Sequence, residues 1–130
     1  ITGYGLVNVE LNRISTICKN ISTKFEPFDV EVLNLIYSNY FWKTLFMNLK
    51  TSVTINKIYS NLKNEFKEIK KDVFDPHISL IYKNMSNNYK KEIIQNVKLK
   101  NKFKIDSISI LKYSEKVEDW KIIERVNFRN

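Results

Sequence analysis

His77 is the only histidine among 130 residues, and the hydroxyl of Ser79 follows it by two positions. On a β-strand, residues i and i+2 share a face. His77-Ile78-Ser79 would therefore aim an imidazole and a hydroxyl the same way. An imidazole exchanges protons near neutral pH, and a hydroxyl donates a hydrogen bond to a phosphate oxygen. These groups suit in-line displacement at phosphorus. That reaction needs a base to take a proton from the attacking water and an acid to protonate the departing sugar oxygen. It also needs donors that hold the non-bridging oxygens as charge develops on them. One His-x-Ser supplies half of this set, and by itself it equally describes a structural histidine on a strand.

The other half emerges from an internal repeat. Ile1-Thr2 parallels Ile78-Ser79, Phe25 parallels Phe103, and Trp42-Lys43 parallels Trp120-Lys121, at offsets of 77, 78 and 78 positions. The order strand, helix, strand, strand also recurs. We read two related halves, about 1–50 and 77–128, joined by a helix near 53–70 and packed as two lobes of a single domain spanning 1–130. Applied to His77, the offset falls on the position immediately before Ile1. The repeat predicts a second histidine there, with Thr2 as its companion hydroxyl. Tyr4 shares the Thr2 face of a regular strand and is a candidate to line the pocket. The chain from Ile1 onward is expected to be inactive by itself, because one histidine cannot act as acid and base in the same step.

These residues need elements to hold them. Residues 1–7 read as a short strand loosened by Gly3 and Gly5. Leu11, Ile14, Cys18 and Ile21 recur at helical spacing, which predicts a helix over 8–20 capped by Asn8. Phe28, Val30 and Val32 alternate with Asp29 and Glu31, as in a half-buried strand. Residues 42–49 are apolar enough for a more buried one. Ile55, Ile58, Leu62, Phe66 and Ile69 mark a second helix, with Thr51 or Ser52 as its cap. Asp75-Pro76 bars a helix ahead of the active motif. Residues 77–82 then read as a strand with Ile78 and Leu80 turned into the core. Ser86 is placed to cap a third helix with Tyr89, Ile93 and Val97 inside. Strands over 103–113 and 120–128 complete an α+β domain of three helices and six strands.

Composition bounds the partners. The net charge of +8, from 22 basic and 14 acidic residues, favours anionic ligands such as RNA and nucleotides. Basic residues gather at 63–71 and 98–104, either as solvated surface or as an attractor for phosphate. Tyr37, Tyr40, Phe41 and Trp42 form an aromatic group that suits a hairpin tip entering the core, or base stacking. Cys18 is the only cysteine, so there is no intrachain disulfide and no cysteine-rich metal site. A reducing, cytoplasmic setting fits. No apolar run approaches the ~18 residues of a membrane span. No metal cluster and no cofactor motif is evident.

Phe74-Asp75-Pro76-His77-Ile78-Ser79-Leu80-Ile81-Tyr82 resembles the second motif of the cyclic phosphodiesterase branch of the two-histidine (2H) phosphoesterases. Ile1-Thr2-Gly3-Tyr4-Gly5 looks like the first His-x-Thr motif without its histidine, and Val117-Glu118-Asp119-Trp120-Lys121-Ile122-Ile123 resembles the last strand of that branch. The resemblance implies a duplicated, two-lobed α+β fold with antiparallel sheets and flanking helices around a central cleft. It also implies a strand and helix ahead of the first motif that are missing here. By position, His77 would be the general acid or base, Thr2 and Ser79 phosphate ligands, and Tyr82 a pocket-lining residue. The implied activity is metal-independent hydrolysis of a cyclic phosphodiester to a phosphomonoester, by a monomer. A 2′,3′-cyclic nucleotide, an RNA end or an ADP-ribose cyclic phosphate would be the substrate. Two alternatives keep the fold and change the outcome: a non-catalytic module that binds RNA ends or nucleotides, and a 2′-5′ RNA phosphodiesterase or ligase.

Overall fold

A computed structural model of the chain describes residues 9–67 and 74–130. The predicted strand over 1–7, with Thr2 and Tyr4, lies outside the described residues, as do Asn8 and Ile69. Among the described residues there are three α-helices and six strands: α1 (Leu11–Ser22), β1 (Phe28–Tyr37), β2 (Leu45–Leu49), α2 (Val53–Glu65), β3 (His77–Ile81), α3 (Asn87–Asn96), β4 (Lys102–Ile105), β5 (Ser107–Lys112) and β6 (Lys121–Asn127). The class is α+β, as expected. One sheet has the order β3-β2-β1-β4, and β5 and β6 form a second. Each hairpin, β1-β2 and β5-β6, is joined through a single 3-10 turn, Phe41–Lys43 in the first and Val117–Asp119 in the second.

The chain divides into two compact units. One gathers Val30–Thr51 and Asp75–Phe103. The strand β2 lies inside its sheet, and Leu45, Phe46, Met47 and Leu49 are buried, so both of its faces are covered. Its near-continuous apolar run is what a strand covered on both sides requires. β1 pairs antiparallel with β2 (Ile36 opposite Phe46, Asn34 opposite Asn48), with a bulge between Val32 and Asn34. β3 pairs antiparallel on its other side.

The second unit gathers 9–29, 52–67 with Phe74, and Lys104–Asn130. Ile17, Cys18 and Ile21 of α1 pack with Ile58, Tyr59 and Leu62 of α2 and with Ile108, Ile110 and Val126 of the β5-β6 hairpin. The helical spacing of the first six and the alternation of the strand residues explain that assembly. Phe28 stacks on Phe128 at 6.0 Å and Tyr59 on Phe74 at 4.5 Å. Lys19 pairs with Glu124 across α1 and β6 at 2.9 Å.

Both predicted serine caps form. The Ile55 N–H donates to Ser52 Oγ at 3.3 Å, and the Tyr89 N–H donates to Ser86 Oγ at 3.2 Å. Four local expectations are corrected. Helix α1 begins at Leu11 behind Glu10, which makes no side-chain cap. Residues 42–49 are not one strand, because Phe41–Lys43 winds into the 3-10 turn before β2 begins. The predicted strand over 103–113 is two strands in different sheets, broken at Asp106, whose carbonyl accepts from the Phe128 N–H at 2.7 Å. Helix α3 does not turn Tyr89 and Val97 inward: Tyr89 is 52% exposed, and the buried side chain is Lys90, at 3%. The Lys90 ammonium is held by the Ser38 carbonyl at 2.7 Å and lies 5.7 Å from the Tyr37 ring centre. Its long apolar stem and satisfied tip do the work expected of an aromatic.

Candidate functional site

His77 opens β3, directly after the Asp75-Pro76 turn. The Leu49 N–H donates to the Pro76 carbonyl at 3.0 Å, which ties that turn to the end of β2. Proline has no N–H to offer and a fixed φ, so this step sets the direction in which β3 departs. His77 is opposite Asn48 and Ser79 opposite Phe46 in the β2-β3 ladder, so imidazole and hydroxyl share a face.

The imidazole is 8% exposed. Its Nδ1 lies 2.9 Å from the Asp75 carbonyl oxygen. A carbonyl only accepts, so Nδ1 carries the hydrogen, and the lone pair of the neutral ring is on Nε2. Fixing one nitrogen through a backbone carbonyl is the usual way a protein sets the tautomer and orientation of a working histidine. The Phe46 ring meets the imidazole edge-on, with centroids 5.6 Å apart at 68°.

Ser79 is half-buried. Its hydroxyl donates to the Trp42 carbonyl at 3.3 Å, a long bond. The single hydroxyl hydrogen is thus directed at the protein, and donating to a phosphate would require the hydroxyl to rotate. Tyr82 follows the strand, and its ring packs against Trp42 at 6.2 Å and 65°. Trp42 in turn meets Phe41 edge-on at 5.1 Å. Thr2 and Tyr4, the remaining predicted site residues, lie outside the described residues. The expected inward pair on the opposite face of β3 is corrected as well: Ile78 is half-buried and Leu80 is 38% exposed. β3 is an edge strand, and full cover reaches only its first residue, His77.

Two residues that sequence reasoning passed over stand beside the histidine. Lys43 forms an ion pair with the Asp75 carboxylate, and its ammonium lies 4.7 Å from the centre of the Phe46 ring. One side of Phe46 therefore serves His77 and the same ring also receives a cation. Lys43 is held by its turn. Ser38 Oγ donates to the Lys43 carbonyl at 2.7 Å, the Lys43 N–H donates to the Tyr40 carbonyl at 2.9 Å, and Thr44 Oγ1 donates to the Phe41 carbonyl at 2.9 Å. In the sequence Lys43 stands out only as a landmark of the repeat. Nothing in its spacing to Asp75 signals proximity, because the turn that carries Lys43 meets Asp75 only through the fold.

The chain was compared with protein-family models and with curated proteins and finds no match in either. Among the described residues, no three His, Cys, Asp or Glu side chains gather as a metal site. Among the same residues no helix is long and apolar enough to cross a membrane.

Proposed function

We propose that the chain belongs to a phosphoesterase that opens cyclic phosphodiesters to phosphomonoesters, with His77 as one of two acid-base imidazoles. The observation that carries this reading is the state of His77: covered, Nδ1–H anchored on the Asp75 carbonyl, lone pair on Nε2, with Ser79 one step along the same face. The bond fixes the ring with its Nε2 lone pair as the remaining functional nitrogen, the arrangement an acid-base imidazole needs. Further support comes from the resemblance of 74–82 to the second 2H motif.

The proposed reaction needs no redox partner. Water attacks phosphorus, a P–O bond of the cyclic ester breaks, one imidazole takes the water proton, and the other returns a proton to the released sugar oxygen. Ser79, after rotating away from Trp42, and Thr2 hold the non-bridging oxygens. The repeat assigns the second imidazole to the position before Ile1. The substrates in view are 2′,3′-cyclic nucleotides, RNA ends and ADP-ribose cyclic phosphate.

The test is hydrolysis of a 2′,3′-cyclic nucleotide in EDTA by the full-length gene product, beside its His77→Ala variant. Turnover that the variant abolishes supports the reading. Nucleotide binding without turnover moves the function to the non-catalytic alternative. The absence of both removes the proposal.

A further inference from the structure

Asp75 engages two neighbours at once within the unit that carries His77. Its carboxylate takes the Lys43 ammonium, and its carbonyl oxygen holds the His77 ring at 2.9 Å from Nδ1. The chain grips the residue from one side as well. Pro76 follows it and keeps Asp75 out of helical backbone geometry, and the Pro76 carbonyl accepts from the Leu49 N–H at 3.0 Å. The motion left to Asp75 is a swing of its own peptide plane, which would carry the carbonyl away from the imidazole. A partner on the carboxylate resists that swing.

Lys43 is a braced anchor. It is half-buried, and its ammonium lies 4.7 Å from the centre of the Phe46 ring, the same ring that His77 meets edge-on. The Ser38 hydroxyl donates to the Lys43 carbonyl at 2.7 Å, and the Ser38 carbonyl accepts from the buried Lys90 ammonium at 2.7 Å. Contacts therefore run without a break from α3 through the hairpin turn to the imidazole, by way of Lys90, Ser38, Lys43 and Asp75. From this connection we infer that Lys43 is a positioning residue for His77, acting through Asp75. It sets which ring nitrogen carries the hydrogen and where Nε2 stands, and it does not touch the substrate. The inference rests on the proposed acid-base role of His77 for its effect on turnover, but not for its effect on the ring. The bland role of the pair is a partly exposed salt bridge, which contributes little and leaves the ring unchanged when it is removed.

The test reads ring and turnover separately in the full-length protein, its Lys43→Met and Asp75→Ala variants and the double variant. Alanine at 75 keeps the backbone carbonyl and removes only the carboxylate. Long-range nitrogen–proton NMR correlations report the His77 tautomer at about pH 8.5, about two units above the ordinary imidazole value. Loss of the signal in His77→Ala assigns it. Hydrolysis of a 2′,3′-cyclic nucleotide gives kcat and KM. The Nδ1–H form is expected to be the majority in the parent and to lose that majority in each variant. Each single variant is expected to lower kcat about tenfold with KM within about twofold, and the double variant to be no slower than the slower single one. An unchanged tautomer in both single variants overturns the inference, and so does a loss of kcat that multiplies in the double variant. A rise in KM at constant kcat overturns it too, by making Lys43 a substrate contact. If the parent turns over no cyclic nucleotide while the tautomer still shifts, the catalytic reading fails and the positioning role stands.

Discussion

Replacing His77 with asparagine and with alanine gives different losses if the Nδ1 bond is real. In asparagine, Nδ2 is attached to Cγ as Nδ1 is in histidine, so an N–H can still reach the Asp75 carbonyl now contacted at 2.9 Å. Asparagine keeps that bond and loses the edge-on contact with Phe46, worth about 0.5–1.5 kcal/mol. Alanine loses both, and the bond adds about 0.5–1.5 kcal/mol. It also leaves a small cavity where an 8%-exposed ring had been. His77→Asn is therefore expected to cost about 1 kcal/mol and His77→Ala about 2–4 kcal/mol. Urea denaturation with unchanged m-values reads both numbers. Turnover on a cyclic nucleotide by the full-length protein is expected to vanish in both, because neither side chain transfers a proton near neutral pH. Equal stability of the two variants would refute the Nδ1 anchor. Activity surviving in the asparagine variant would refute acid-base catalysis by His77 while leaving its structural role intact.

Three further outcomes follow from the same contacts. Lys43→Met keeps the stem over Phe46 and loses the partly exposed Asp75 ion pair and the cation–π contact; about 1 kcal/mol of destabilisation is expected, smaller at high salt, read by denaturation at two ionic strengths. Ser52→Ala removes the acceptor of the Ile55 N–H and is expected to cost about 1 kcal/mol, whereas Ser52→Gly costs only a few tenths, so the ordering of the two variants is the check. Burial pushes the Cys18 thiol from its ordinary value of 9.0 up to about 11, with the Glu124 charge adding to the effect. The unfolded chain then loses its thiol proton before the folded one does, so the Cys18 contribution to stability is constant below about pH 9 and declines towards pH 11; Cys18→Ala is expected to flatten that decline in a pH series of unfolding curves, and native-state alkylation of Cys18 near neutral pH is expected to be slow.

How much of this was legible in the sequence depended on whether the deciding contact was local. Ser52 and Ser86 were found because an N-cap acts within three residues. The alternation of Phe28, Val30 and Val32 identifies β1, and the apolar run over 42–49 identifies a buried strand whose start the structure moves to Leu45. The motif 77–79 gave the shared face of imidazole and hydroxyl directly, since it follows from strand pleat. The break at Asp106 was invisible, because both flanking segments have strand character and the switch of sheet is set by the Phe128 N–H from the far end of the chain. The inner face of α3 was misassigned because hydrophobicity ranks Tyr89 above Lys90. Burial instead went to the residue whose tip could meet the Ser38 carbonyl. Phe46 is hidden as a neighbour of His77 because their nearness is a product of strand pairing, and Lys43 because its ion pair with Asp75 joins residues 32 positions apart. The Ser79 hydroxyl bond to Trp42 was missed for the same reason.

The way the two compact units are threaded has a consequence for how the chain is made. Neither unit is a continuous piece: the first takes Val30–Thr51 and Asp75–Phe103, and the second takes segments on either side of both, ending with Lys104–Asn130. During synthesis, β1 and β2 wait for β3, and α1 and α2 emerge long before β5 and β6 arrive to cover their apolar faces. Contacts so distant in sequence carry a large loop-closure cost and slow folding. Until β5 and β6 leave the ribosome, Ile17, Ile21, Ile58 and Leu62 have no hairpin to pack against, which exposes the nascent chain to aggregation. Loss of β6 therefore strips cover from a helix pair completed about sixty residues earlier in the chain, and leaves its apolar faces open to aggregation.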